Sequence, residues 1–473
     1  MAFIWRIDKR KKEPAYQQLI HQVIASIQQG ELFPGQKIPA ERKLAQSLQV
    51  NRSTVVHALE ELQSLGWVIR KQGSGTRVAT GQWGNHQAAF YHWQTLFSSP
   101  LLKEDPYLTE LKTQKNSRNC LDCYTGDLSE SLIFNFKFPA MSWEQMIQEE
   151  RKVLATGYKP LKDQIYQHFF QKQEFQGQEL LITAGSTQGI FLLIQVLLTP
   201  GDTIATETPS FLFSLPLFAS RGIHLAGVTQ DREGIDCQQL ENLIQRKKIK
   251  FLYLNPNYQN PTGKTMSLKR RKEVITLCQK YQLPIVEDNV FGELGFTQAL
   301  PSLKSLAPDL VIYLGSLSKI FSSAIKIGWL FAPKSLIDSL TNAKKILENE
   351  TAFLPQLLAT AALSQVDYKK KQQQLQAKLQ KKSQAFAALM DTFSADWNYQ
   401  TIGGGLYYWL TWRHQSLSRS DWQLFLKEKL LVAPSFLFSN DTNSMRINYT
   451  ALEKTDFKQF QRSFTKITKQ LKA

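Results

Sequence analysis

A chain of 473 residues with 42% hydrophobic and 21% charged side chains is ordinary globular stock, neither disordered nor fibrous. Its longest apolar run, 190–198, is about half a bilayer span, and the basic run at 9–12 follows too few apolar residues for a secretory leader, so a cytoplasmic protein with no membrane partner is expected. Lys+Arg 57 against Asp+Glu 40 leaves a net charge of +17, which favours a polyanionic partner.

That excess is concentrated in the first 78 residues, which hold 12 Lys/Arg against 6 Asp/Glu, whereas the other 395 hold 45 against 34. Tyr16, Leu19, Ile20, Val23 and Ile27 follow Pro14 at helical spacing and predict a helix that ends at Gly30. A Pro34-Gly35 turn leads through Pro39 to a short helix with Leu44, Ala45 and Leu48 on its inner face. Gln49 and Val50 make a tight turn, and Asn51 is suited to cap a third helix that buries Val55, Ala58, Leu59, Leu62 and Leu65. Residues 67–71 and 76–79 read as two strands around Q-G-S-G at 72–75, a hairpin with glycines at its tip.

Three helices and a hairpin in this order describe a winged helix-turn-helix. The third helix would enter a major groove N-terminus first, presenting Arg52, Ser53, Thr54 and His57 to double-stranded DNA. Lys71, Gly73 and Gly75 of the wing would lie against the backbone, and Arg42 would meet a phosphate. A plain three-helix bundle with a charged face shares the helix pattern, but the residues separate the two. The stretch FPGQKIPAERKLAQSLQVNRSTVVHALEELQSLGWVIRKQGSGTRV resembles the DNA-binding domain of the GntR family along its whole length. Ala40 and Val56 stand where many members have Ser and Arg, which implies an altered sequence preference more than lost binding.

From 80 to 119 periodicity fades into a mixture of Gln, Asn, Ser and Lys with scattered Trp83, Tyr91, Trp93 and Phe97. A connector is expected there, between a winged helix at 1–79 and a large domain at 120–473. Cys120 and Cys123 have no second pair and no histidine cluster, so neither zinc, nor another metal, nor redox chemistry is expected of them. Beyond them DTIATE, KFLYLN, LPIVED, DLVIYLGS and IGWLFAP alternate with amphipathic segments, the pattern of a mainly parallel α/β sheet whose ligands gather at the carboxyl ends of its strands. The Lys/Gln-rich run at 369–383 reads as one solvated helix.

Polar groups fall at those strand ends. Lys319 lies in SLSK after the strand at 310–314, Asp288 ends VED, and Asn260 sits in the loop NPNYQNPTG. TAGSTQG at 183–189 precedes a long apolar helix, so the Gly185 to Thr187 backbone and the Ser186 and Thr187 hydroxyls form a candidate phosphate cradle. Each has an ordinary account alone: a solvated lysine, a helix cap. Together, a phosphate cradle, an amine, a carboxylate and an amide meet the needs of pyridoxal 5'-phosphate. Lys319 would hold the aldehyde as an imine, Asp288 would keep the ring nitrogen protonated, Asn260 would bond the phenolic oxygen, and Phe211 would stack on a face.

Residues from about 120 to 470 resemble a fold type I, class I aminotransferase, with NPTG, ED, GSLSK, IGW, GGGLYYW and MRINYT in family order. The resemblance implies a mostly parallel sheet with a smaller C-terminal α+β part, and a phosphate site joined by Ser316, Ser318 and Lys326. It also implies a substrate-carboxylate clamp at Arg446. With a GntR reader in front, the whole chain resembles the MocR group of bacterial transcription regulators. Val290 and Phe291 replace a family tyrosine, Lys326 replaces an arginine, and TGYKPLK shortens the segment in which Tyr158 would reach a phosphate across a dimer. The expected function is a DNA-binding regulator that senses the cofactor, or a small amine or amino acid reacting with it, as a homodimer. The alternatives are a working aminotransferase that carries a DNA-binding module, and a vestigial pocket in a domain that only dimerises the heads.

Overall fold

The structure, a computed structural model, describes residues 5–8, 10–11, 13–28, 31–71, 75–79, 105–115, 117, 119–170 and 176–472. The chain divides into two compact units, Met1–Leu102 and Lys103–Ala473.

In the first unit, helices α1 (Ala15–Gln28), α2 (Glu41–Leu48) and α3 (Arg52–Ser64) precede the antiparallel hairpin β1 (Val68–Lys71) and β2 (Gly75–Val78). Leu19, Val23 and Ile27 of α1, Leu44 and Leu48 of α2, and Val55, Leu59 and Leu62 of α3 close one core with Val68 and Val78 of the hairpin. Gln49 takes the left-handed conformation (φ 52°) that ends α2 and turns the chain into α3. Leu65 is not on the buried face: α3 stops at Ser64, and Leu65 is 46% exposed. Asn51 has the extended backbone of an N-cap, but its side chain makes no capping bond. Residues 72–74, with Gly73, and the connector from 80 to 104 lie outside the described residues.

The second unit begins with the helix Pro106–Lys115, whose Tyr107 and Leu111 are buried in the same core as the C-terminal helix Phe457–Lys472. This stretch of the expected connector therefore packs with the large unit. The short strand β3 (Leu121–Asp122) follows. Seven strands then form the main sheet: β4 (Gln178–Thr183), β5 (Thr203–Thr208), β6 (His224–Thr229), β7 (Ile249–Leu254), β8 (Ile285–Asp288), β9 (Val311–Ser316) and β10 (Gly328–Pro333). Their order is β4-β10-β9-β8-β7-β5-β6, parallel except that β10 runs against both neighbours. Every residue of β8 and β9 is buried, because helices cover both faces, so these strands read as near-continuous apolar runs.

The C-terminal part carries β11 (Trp397–Asn398), β12 (Tyr407–Trp412), β13 (Leu430–Leu431), β14 (Ala433–Pro434) and β15 (Ser444–Asn448). Four of these form an antiparallel sheet in the order β11-β12-β15-β14, while β13 pairs in parallel with β3. That last pairing carries the segment after β3 to the mouth of the main sheet. The Lys/Gln-rich run lies in the helix Tyr368–Asp391, which is solvated on one face and buries Leu375, Leu379 and Phe386 on the other. Cys120 and Cys123 are free thiols, and burial holds Cys123 well above the usual thiol range.

Candidate functional site: a cleft at the strand ends and a basic head

A cleft of about 460 Å³ opens at the carboxyl ends of the parallel strands, lined by Gly185, Ser186, Thr187, Phe211, Asn260, Asp288, Ser316, Ser318, Lys319, Lys326 and Arg446. The residues singled out from seven separated stretches of the large domain thus line one cleft.

Helix Ser186–Leu197 starts at the cleft, and its first-turn amides have no acceptor within the helix. Gly185 precedes it with φ +86°, a conformation costly for other residues, and no described atom lies within 4 Å of where its Cβ would stand. From behind, Gly328 of β10 comes so close that a Cβ there would meet the Ser186 nitrogen at 2.6 Å. The result is an open pocket of main-chain N–H groups at a positive helix end, suited to a phosphate. The Ser316 hydroxyl donates to the Ile327 carbonyl at 3.2 Å and accepts from the Ser318 N–H at 3.2 Å, while the Ser318 hydroxyl donates to the Ile325 carbonyl at 3.1 Å. Both serines therefore brace the loop that presents the exposed Lys326.

Asp288 ends β8. Its carboxylate accepts from the Tyr253 hydroxyl and, at 3.3 Å, from the Val290 N–H. Burial pushes it up to about 6, while these bonds and the Lys319 charge pull it down. Asn260 receives a bond from Arg446 Nη1 on its Oδ1 at 2.9 Å, and its carbonyl accepts the Phe211 N–H at 3.1 Å. Lys319, in the short helix Ser318–Phe321 just past β9, donates from Nζ to the Gly126 carbonyl at 2.6 Å and lies 3.5 Å from Asp127 Oδ1.

Arg446 of β15 is buried, with Tyr407 and Phe438 rings centred 4.3 and 5.1 Å from its guanidinium. Nη2 donates to the Tyr124 carbonyl at 2.8 Å, whereas Nε has no hydrogen-bond partner among the described residues. Asn448, two residues on, donates to the Thr125 and Asp127 carbonyls at 2.6 and 2.8 Å. The loop 124–127 is therefore strung between Lys319 on one side and Arg446 and Asn448 on the other.

The donor set fits pyridoxal phosphate: an amine, a buried carboxylate, an amide, a helix-end anion pocket, and a cation with an orphaned N–H for a carboxylate. Val290 and Phe291 are buried beside it and offer no side-chain hydroxyl. Tyr158 is taken up within its own chain, its hydroxyl donating to Glu149 Oε2 at 2.9 Å and its N–H to Gln356 Oε1 at 2.7 Å. Sequence reasoning did not single out Tyr124, Gly126, Tyr253 or Asn255. Tyr253 and Asn255 share the strand-end face by the two-residue period, a readable signal. Tyr124 and Gly126 arrive through the pairing of β3 with β13, which no local pattern announces.

On the head, Ser53 is exposed at the start of α3, Thr54 is half-buried, and His57 stands over Tyr16 with ring centroids 4.5 Å apart. Arg42 and Lys71 are exposed, and Gly75 has φ +86°. Arg52 is engaged: it bonds Glu41 at 3.0 Å, and Arg70 of the hairpin takes the other oxygen at 2.5 Å. The Arg52 bond, first among the causes, holds the Glu41 carboxyl below the usual range. With Arg52 57% exposed this pair contributes at most about 1 kcal/mol, so a phosphate or base edge can replace it.

Residues 140–464 match the family of aminotransferase class I and II, and residues 15–78 match the bacterial regulatory proteins of the gntR family. The chain is 32% identical over 462 residues to YisV, an uncharacterized HTH-type transcriptional regulator of Bacillus subtilis (strain 168), covering 94% of each chain. It is 25% identical to the HTH-type transcriptional regulator NorG of Staphylococcus aureus (strain USA300), over 87% of this chain and 95% of that one. Among solved structures it is similar to the α-aminoadipate aminotransferase LysN of Thermus thermophilus, complexed with N-(5'-phosphopyridoxyl)-L-leucine, at 25% identity and TM-score 0.68 over 80% of this chain and 98% of that one. The kynurenine aminotransferase of Pyrococcus horikoshii shares the fold at 23% identity and TM-score 0.70, over 80% and 97%.

Proposed function

Because the chain belongs to the aminotransferase class I and II family and carries a gntR-family head, we propose that it is a transcription regulator of the MocR arrangement that binds an operator through α3 and reads pyridoxal 5'-phosphate, or an amine or amino acid reacting with it, in the strand-end cleft. The observation that carries the reading is the convergence of Lys319, Asp288, Asn260 and Arg446 on the helix-end anion pocket.

When bound, the cofactor supplies an electrophilic carbon and an electron-withdrawing ring. Lys319 anchors it covalently, Asp288 holds a proton at the ring nitrogen, and Asn260 donates to the ring oxygen. The amides of Ser186 and Thr187, with Lys326, bind the phosphate, Ser316 and Ser318 brace that side of the cleft, and Phe211 covers a ring face. Arg446 takes the carboxylate of an amino-acid effector. On the head, Arg52, Ser53, Thr54 and His57 read base edges and phosphates, and Arg42, Lys71, Gly73 and Gly75 contact the backbone. Signal transfer needs only that the effector-bound and effector-free states present the heads differently to DNA.

A second copy of the chain is the expected partner. Phe138, Trp143, Leu154, Leu347 and Leu354 are 50% or more exposed in the single chain. Lys344 reaches the Ala155 carbonyl at 3.1 Å, and Gln356 accepts the Tyr158 N–H at 2.7 Å, which ties the segments that carry Leu154, Leu347 and Leu354 together. The same cleft would serve a working aminotransferase; steady turnover of an amino acid with a keto acid would establish that reading, and operator binding without turnover would exclude it.

The deciding test is the visible spectrum of the purified protein with and without added cofactor, beside Lys319→Ala. A band in the wild type that the variant lacks supports the reading. No band even with cofactor in excess makes the large domain a scaffold.

A further inference from the structure

Asn255, one residue past β7 and 5% exposed, makes three hydrogen bonds, two to the cleft residues Asp288 and Asn260 and one to the buried Glu207 behind them. Its N–H donates to Glu207 Oε2 of β5 at 3.0 Å. Its side-chain amide donates to the Asp288 carbonyl at the end of β8 at 2.5 Å, and its Oδ1 accepts the Asn260 N–H at 2.8 Å. Asn260 in turn accepts from Arg446. Hydrogen bonds therefore run from Arg446 to the Asn260 side chain, and from the Asn260 main-chain N–H through Asn255 to the main-chain carbonyl of Asp288, while Glu207 pins their middle to a third strand. All these residues are 8% exposed or less, so water competes little and the bonds are mutually reinforcing.

We propose that Asn255 is a positioning residue that couples the carboxylate clamp at Arg446 to the main chain that places Asp288 at the end of β8, so that engagement of Arg446 is felt at the cofactor. This rests on the cofactor reading above. The chemistry requires an amide at this place: one donor for the Asp288 carbonyl and one acceptor for the Asn260 N–H, which neither a carboxylate nor an aliphatic side chain supplies. Asn255 itself need not touch the reacting atoms.

The test is a double-mutant cycle in the full chain with pyridoxal phosphate bound, reading the pH midpoint of the visible band for wild type, Asn255→Ser, Arg446→Gln and the double variant. Through-space charge effects of Arg446 act in both backgrounds, so the departure from additivity reports the bond chain. The expected result is a midpoint displacement by Arg446→Gln that is clearly smaller in the Asn255→Ser background, with cofactor affinity about tenfold weaker in Asn255→Ser from loss of the buried bridge. Displacements that simply add overturn the coupling, with the wild-type band intact. Absence of a wild-type band overturns the cofactor reading and this inference with it. Should Asn255→Ser fail to fold, Asn255→Thr runs the same cycle.

Discussion

Arg52 and Lys319, the two cations on which the functional reading turns, are both held by acceptors of their own chain. Arg52→Ala is expected to weaken operator binding by about 1–3 kcal/mol and leave the cofactor band unchanged; a gel-shift titration beside a spectrum checks both halves. Buried acids set the pH response. Burial raises Glu207 to about 8, Glu287 and Glu293 to about 7, and Asp288 to about 6. Their folded values lie above the unfolded ones near 4, so the folded state binds more protons and its stability falls as pH climbs through this range. The thermal midpoint of the cofactor-free protein should therefore drop between pH 5 and 8, and Glu293→Gln should flatten part of that slope; an unchanged slope would contradict it. At this scale Lys319, Asp288 and Asn260 were legible because each ends or follows a recognisable strand, and Arg446 because MRINYT matches the family's pattern. The acceptors that hold two of them, Gly126 and Tyr124, were not, since their place depends on bonds from Asn448 more than 300 residues away in the chain.

Elements with a clear period formed where the sequence placed them: α3 with its Val55, Leu59 and Leu62 face, and the buried runs of β7 to β9. Direction was less legible. IGWLFAP reads like its parallel neighbours, yet β10 runs antiparallel because its partners are β9 and β4, a pairing set by tertiary order and not by composition. Its first residue, Gly328, backs the anion pocket so closely that Gly328→Ala must push main chain against main chain. That variant should lose cofactor retention on dialysis while operator affinity persists. Full retention would show that the helix start does not depend on this backing.

For the molecule as a whole, phosphate contacts by the basic head should make DNA affinity steeply salt-dependent. Arg42→Ala should lower the slope of log K against log salt by about 1 without changing the preferred operator. A change in sequence preference instead would move Arg42 from phosphate to base contact. Trp143, 71% exposed, tests assembly: Trp143→Glu should shift sedimentation from two copies toward one, and unchanged sedimentation would exclude that residue from the interface. Motifs from strand ends to head were readable because chemistry restricts their residue types. An exposed apolar side chain carries no such restriction, which is why only the folded chain marks Leu154, Leu347 and Leu354 as exposed.

The loop strung between Lys319 and Arg446 gives the cleft an internal competitor. Its Gly126 and Tyr124 carbonyls already satisfy the two cations, so an arriving molecule is weighed against occupants tethered at high effective concentration. On the proposed reading, a ligand that engages only Lys319 or only Arg446 displaces one of these bonds and leaves the other in place. One that engages both leaves the loop held only by the Asn448 bonds to the Thr125 and Asp127 carbonyls. A site built this way would favour a conjunction of groups over a molecule that carries only one of them.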